Sequence, residues 1–311
     1  MLPDASSRRQ NRLILGLSLA LTTLVGLVCW QRLRAAGQMP RFLNIAIPGT
    51  ALITGASSGI GAAFARRLAG AGYDLVLVAR REERLAALAA ELQQQYGIKV
   101  EVLVADLARI VDIERVARRV GEIETLRLLI NNAGFGTSNY FSESELSTEM
   151  AMIDVHLKAT LCLSRAAIPG MLARRQGAII NVSSAAAFFP TPGAATYGAS
   201  KSYLNVFSEA LHGELWGTGV KVQALCPGFT RTGFHYTPEY KDVDWTQVPG
   251  ILWLKAGQVV AESLRALDRN QVICIPSLRY KLAVRVFGNP AIFALIRPIY
   301  LRVRGRLGLQ M

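Results

Sequence analysis

Apolar residues along the chain alternate between short continuous runs and longer stretches with helical spacing. The runs at 50–54, 74–79, 99–104, 126–130, 177–182, 220–225 and 272–275 predict strands. Between them, 60–70, 82–95, 110–120, 149–174, 196–216 and 256–268 carry helical patterns. Nearly continuous apolar strands separated by helices imply a parallel sheet buried on both faces, hence a doubly wound α/β fold of about seven strands. Residues 48–276 are long enough to form this as one domain with a stable interior. The rhythm breaks once, between Phe229 and Gly257. With Phe234, Tyr236, Tyr240, Trp245, Leu252 and Trp253, that insertion reads either as a substrate cover with an apolar inner face or as a surface loop packing on its own aromatics.

The two ends differ from the middle. Leu13 to Trp30 is an uncharged run with Arg8, Arg9 and Arg12 before it and Arg32, Arg34 and Arg41 after it. As a helix it would span roughly 27 Å, close to the ~30 Å hydrocarbon core of a bilayer. Residues 1–41 therefore predict an uncleaved single-pass membrane anchor, with the 48–276 domain on the cytoplasmic side. The arginines, three on each side, do not decide its orientation. A C-terminal extension, 277–311, mixes apolar residues with arginines. It would lie in a membrane interface or pack over the substrate entrance.

The formal net charge is +13, but it gathers at these ends. Asp4 is the sole acid in 1–41, and 279–311 hold seven basic residues and no acid. The near-neutral middle argues against a nucleic-acid partner. Cys29, Cys162, Cys226 and Cys274 are widely spaced in apolar runs and read as buried thiols. With His156, His212 and His235 scattered, no spacing suggests a metal site.

Two stretches carry chemistry. Thr54-Gly55-Ala56-Ser57-Ser58-Gly59-Ile60-Gly61 lies between a predicted strand and a predicted helix. In that context glycines let the backbone approach a diphosphate, and the helix N-terminus offers free N–H groups. At the end of the second strand stands Ala79-Arg80-Arg81, with no carboxylate for a ribose 2′-hydroxyl and two guanidiniums suited to a 2′-phosphate. That pattern favours NADP(H). Further on, Tyr197 and Lys201 are spaced i, i+4 on a predicted helix, with Ser184 thirteen residues earlier. A lysine ammonium ~4 Å from a phenol would favour the phenolate by about 4 kcal/mol at an effective dielectric of ~20.

Together these pieces resemble the short-chain dehydrogenase/reductase family, in its single-domain, Rossmann-type form. Besides the glycine loop, Ala105-Asp106-Leu107 matches the stretch at the adenine end. Asn131-Asn132-Ala133-Gly134 matches the motif lining the cofactor. Asn181-Val182-Ser183-Ser184 carries the substrate serine, and Pro227-Gly228 with Thr232 resembles the segment closing over the nicotinamide. The likeness covers about 48 to 275. It implies hydride transfer between NADP(H) and a carbonyl or alcohol, with Tyr197 as general acid, Ser184 holding the carbonyl oxygen, and Lys201 tuning the tyrosine and gripping the ribose. Ser184 is preferred over Ser183 by the family spacing. Many relatives form homodimers or homotetramers, and 149–174 and 196–216 are the helices that would pair.

One position departs from the family pattern. Val155-His156-Leu157 stands where relatives usually carry a catalytic asparagine. His156 would keep a backbone role and add a titrating imidazole to proton supply, or be a histidine with satisfied hydrogen bonds. The implied function is reduction of a lipophilic ketone or aldehyde, such as an acyl, sterol or retinoid-like carbonyl. The alternative is a cofactor-binding sensor or scaffold that uses the fold without turnover.

Overall fold

The computed structural model describes residues 49–236, 240 and 243–287, without the side chains of Tyr236 and Phe287. Strands β1 (Thr50–Thr54), β2 (Asp74–Ala79), β3 (Val100–Val104), β4 (Leu126–Asn131), β5 (Gly177–Val182), β6 (Val220–Leu225) and β9 (Ile273–Cys274) form one sheet in the order β3-β2-β1-β4-β5-β6-β9. Every pairing in it is parallel. A separate parallel pair joins β7 (Thr230–Arg231) to β8 (Leu254–Lys255).

Helices cover both faces. Alternate strand residues point opposite ways, so Ala51, Ile53, Leu75 and Leu77 enter one core while Leu52, Val76 and Val78 enter the other. The first core is closed by α1 (Gly59–Ala69), α2 (Glu82–Tyr96) and α7 (Ala256–Asp268), through Phe64, Leu68, Leu85, Leu92, Val259 and Leu264. The second is closed by α3 (Ile110–Glu122), α5 (Ala159–Ala173) and α6 (Ala195–Glu214) through Ile113, Val116, Leu163, Met171 and Leu211. Strand order reverses beside β1, between it and β4. In such sheets the crevice at the carboxyl ends of these strands is where ligands bind.

Two expectations change. The stretch 149–174 is not one regular helix. It starts earlier, as α4 (Leu146–Ile153), then widens to a π-helical turn over Asp154–Lys158 before α5. An Asp154–Lys158 ion pair spans that turn, and His156 is at its centre. Apolar spacing cannot reveal one inserted residue in a helix, which is what a π-turn amounts to.

The membrane localisation is corrected. Among the described residues no helix is long and apolar enough to cross a membrane. The run 13–30 on which the anchor rested lies outside the described residues, as do 288–311 of the C-terminal extension. What is described of that extension is α8 (Leu278–Phe287), whose Tyr280 packs into the first core.

Candidate active site

The glycine loop turns sharply at Gly55 (φ 65°) and Gly59 (φ 58°), both in the left-handed region that a Cβ disfavours. Space forbids side chains as well. A Cβ on Gly55 would lie 2.9 Å from Ala133 Cα, and one on Gly61 2.6 Å from Asn132 Nδ2. The loop is latched to the end of β4. Thr54 Oγ1 accepts from the backbone N–H of Asn132 and of Ala133, each at 2.9 Å, while Asn132 Nδ2 donates to the Thr54 and Gly55 carbonyls at 2.8 and 3.2 Å. Thr54 and Asn132 therefore shape the cleft with their polar atoms directed at each other. Gly59 faces Thr232, to which a Cβ would approach within 2.9 Å, so the segment after β6 meets the start of α1.

The basic end of β2 closes this side. Arg81 donates to Ser57 Oγ at 2.8 and 3.2 Å and to Ser58 Oγ at 2.8 Å. Burial, then the nearby Arg84 and Arg80, lowers its pKa, as expected where like charges crowd together. The sequence offers both Arg80 and Arg81 to a phosphate, with Arg80 the expected contact. Both side chains are exposed, and it is Arg81 that folds across the glycine loop onto Ser57 and Ser58. Asp106 Oδ1 caps the backbone N–H of Ala108 at 3.2 Å, and Leu107 is buried in the second core. A glycine loop with no room for side chains, flanked by hydroxyls and clustered arginines, suits a dinucleotide with an extra phosphate.

Across the cleft stand Ser184, Tyr197 and Lys201. Ser184 follows β5, and its Oγ accepts from the Ala186 N–H at 3.1 Å. Ser183 faces inward and donates to the Lys201 carbonyl at 2.8 Å, which removes it as a rival. Tyr197 and Lys201 share the first turns of α6, with Lys201 Nζ 5.7 Å from the Tyr197 ring centre. That nitrogen donates to the Val182 carbonyl at 2.9 Å. Burial holds the Lys201 pKa at about 7. Burial also raises that of Tyr197, against a lowering hydrogen bond with Ser184. The shift of Tyr197 is therefore upward, with burial outweighing the Ser184 hydrogen bond, rather than the depression expected from Lys201. The consequence is a tyrosine that keeps its proton at neutral pH.

His156 joins this group, with its ring centre 5.8 Å from that of Tyr197. Its Nε2 accepts from the Phe135 N–H at 3.3 Å, which leaves the ring proton on Nδ1, 2.8 Å from Ser200 Oγ. Ser200 in turn donates to the Tyr197 carbonyl at 2.8 Å. Burial, then the charge of Lys201, drives the His156 pKa well below 6.5. Both nitrogens are engaged, so the imidazole titrating in proton supply gives way to a neutral ring with satisfied hydrogen bonds. Gly134 lies against it, since a Cβ there would sit 2.8 Å from Nε2 and 3.4 Å from Lys201 Nζ.

Beyond Tyr197 the insertion after β6 forms an aromatic cluster. Phe234 stands 6.1 Å from Tyr197, centre to centre, and Tyr240 is 5.6 Å from Phe234. Gly136 leaves space for the Tyr240 hydroxyl beside the Tyr197 ring. Buried His235 is enclosed by Trp245 at 4.6 Å, Trp253 at 4.8 Å and Phe229 at 6.0 Å. Nothing in the sequence marks Gly136, Ser200 or His235 as part of the site. A lone glycine or serine gives no sequence signal of the ring it faces.

Comparison with known proteins agrees with this geometry. The short chain dehydrogenase family model matches residues 49–240. The chain is 37% identical over 187 residues to a very-long-chain 3-oxoacyl-CoA reductase of Anas platyrhynchos, a match covering 58% of this chain and 60% of that protein. It is 35% identical over 179 residues to hydroxysteroid dehydrogenase-like protein 1 of Gallus gallus, covering 57% of this chain and 54% of that protein. The chain thus spans little more than half the length of these relatives. Among solved structures, a short-chain dehydrogenase from Sphingobium yanoikuyae in complex with NADPH is 36% identical, with a TM-score of 0.71 over 80% of this chain and 95% of that one. Together with the sheet order and the glycine loop, the family match over 49–240 shows that this chain belongs to the short-chain dehydrogenase/reductase family of NAD(P)-dependent oxidoreductases.

Proposed function

We propose that the protein reduces a lipophilic ketone or aldehyde with NADPH. The observation that carries this reading is the convergence of Ser184, Tyr197 and Lys201 beside an aromatic cluster. NADPH, when bound, supplies the hydride. The glycine loop and the N-terminus of α1 would hold its diphosphate, Arg81 with Ser57 and Ser58 its 2′-phosphate, and Lys201 its ribose.

The substrate oxygen would sit between the Ser184 and Tyr197 hydroxyls. Ser184 would donate to that oxygen as negative charge develops, and Tyr197 would transfer its phenolic proton to it. The raised pKa of Tyr197 suits this direction, because the acid arrives loaded at neutral pH. Lys201, with a pKa of about 7 and its Nζ 5.7 Å from the Tyr197 ring centre, would stabilise the phenolate as an ammonium. His156 would hold the 133–135 loop and the Tyr197 backbone in register through its two hydrogen bonds. Pairing of two copies through α5 and α6 belongs to the same reading, supported by family resemblance and by exposed Leu161, Tyr203 and Val206 on those helices.

Phe234, Tyr240 and the ring cluster behind them favour an acyl or sterol-like substrate over a hydrated one, since apolar surface gains by leaving water. Competition for turnover between decanal, androstenedione and a soluble sugar aldehyde tests this. Preference for the sugar would contradict it.

A further inference from the structure

We propose that Tyr280, on α8, is a positioning residue that fixes the substrate cover from outside it; this rests on the reading of 229–255 as that cover. Its phenol oxygen accepts from the Phe229 N–H at 3.0 Å and donates to the Leu252 carbonyl at 2.7 Å. Those two groups lie on opposite stems of the insertion, so one buried hydroxyl ties its beginning to its end. The ring has a second duty. A Cβ on Gly228 would fall within the Tyr280 ring, so the aromatic face lies directly on the backbone of the Pro227-Gly228 segment. Only a residue without a side chain permits that approach.

The surroundings hold Tyr280 itself in place. Ser277, just before α8, donates its N–H to Glu262 of α7 at 2.9 Å. The neighbouring Arg279 donates to the Ile251 carbonyl, adding another tie to the second stem. Between the stems, Leu254 N–H donates to the Phe229 carbonyl at 2.8 Å. The start of the cover, its end and the Pro227-Gly228 segment therefore meet on one side chain of the last described helix. Moving that ring would shift the aromatic wall over Tyr197 and the Gly228 backbone together.

Tyr280→Phe keeps the ring on Gly228 and removes the bridging hydroxyl. Amide hydrogen exchange of the full-length protein should then speed up by about tenfold in 229–236 and 243–254, with β1 to β6 unchanged. KM for decanal should rise about fivefold, the effect of one net hydrogen bond, while kcat and the Kd for NADPH stay within about twofold. Arg279→Met, at an exposed residue, should loosen the same segments to a smaller extent. Unchanged exchange in the cover in both variants would overturn the proposal. So would faster exchange spread evenly through the sheet, since that is general destabilisation. A wild type that leaves decanal untouched would count against the substrate reading instead, and the exchange data would still decide the role of Tyr280.

Discussion

His156 Nδ1 lies 2.8 Å from Ser200 Oγ, and the opposite ring nitrogen accepts from the Phe135 N–H, so one neutral imidazole links the loop after β4 to the catalytic helix. An asparagine at this position is too short to satisfy both partners from the same backbone. His156→Asn should leave one buried group without a partner, at a cost of about 1–3 kcal/mol. That corresponds to a fall in melting temperature of roughly 3–10 °C. Thermal unfolding measures it, and an unchanged midpoint would mean that the imidazole holds nothing together.

Acid sensitivity should come from the same kind of ring. Burial among Phe229, Trp245 and Trp253 holds His235 at a pKa of about 4, and its Nδ1 has no hydrogen-bond partner among the described residues. Unfolding exposes the ring, which then binds a proton with a pKa near ~6.5. The unfolded state therefore binds more protons between these two values. The stability due to neutral His235 is complete above about pH 6.5 and is lost as pH falls towards 4, by about 3 kcal/mol. His156, also lowered from 6.5, works in the same direction. His235→Phe should flatten the decline in denaturant midpoint between pH 6.5 and 4. A variant with the wild-type slope would show that His235 is not the titrating group.

Cofactor choice should depend on Arg81 more than on Arg80, because Arg81 is the guanidinium hydrogen-bonded to Ser57 and Ser58. Loss of a charge-assisted contact to a phosphate costs about 1.5–3 kcal/mol, which is tenfold or more in affinity. Arg81→Ala should weaken NADPH binding by that factor and leave NADH nearly unchanged, as read by fluorescence titration. Equal losses for both nucleotides would remove Arg81 from 2′-phosphate recognition.

Gly61→Ala should damage the loop before any chemistry. The new methyl would collide with the Gly55 carbonyl and lie 2.6 Å from Asn132 Nδ2. Backbone and a latched side chain resist displacement, so the cost is about 1–3 kcal/mol of overpacking. Calorimetry should show a lower melting temperature together with weaker NADPH binding. Wild-type values for both would mean that the loop yields more freely than its hydrogen bonds suggest.

Much of this molecule was legible in its sequence because its signals are local. Apolar runs such as Leu75-Val76-Leu77-Val78 locate strands buried on both faces, and Gly55, Gly59 and Gly61 mark a turn that tolerates no side chain. Tyr197 and Lys201 are neighbours on one helix, so their spacing alone places them together. What stayed hidden depends on packing at a distance. The π-turn at His156 leaves no trace in apolar spacing, and the drop in the Lys201 pKa comes from burial rather than from its neighbour in sequence. The role of Tyr280 arises from contacts with Gly228, Phe229 and Leu252, all far from it along the chain.

In the proposed reaction Tyr197 delivers the proton in an NADPH-dependent carbonyl reduction. Its most direct test follows NADPH oxidation at neutral pH by wild type and by Tyr197→Phe, with decanal and androstenedione as carbonyls. Wild-type turnover that falls about 100- to 10,000-fold in the variant, with NADPH affinity retained, is the predicted result. Equal turnover by both proteins, or tight NADPH binding by a wild type that reduces neither carbonyl, would contradict the account.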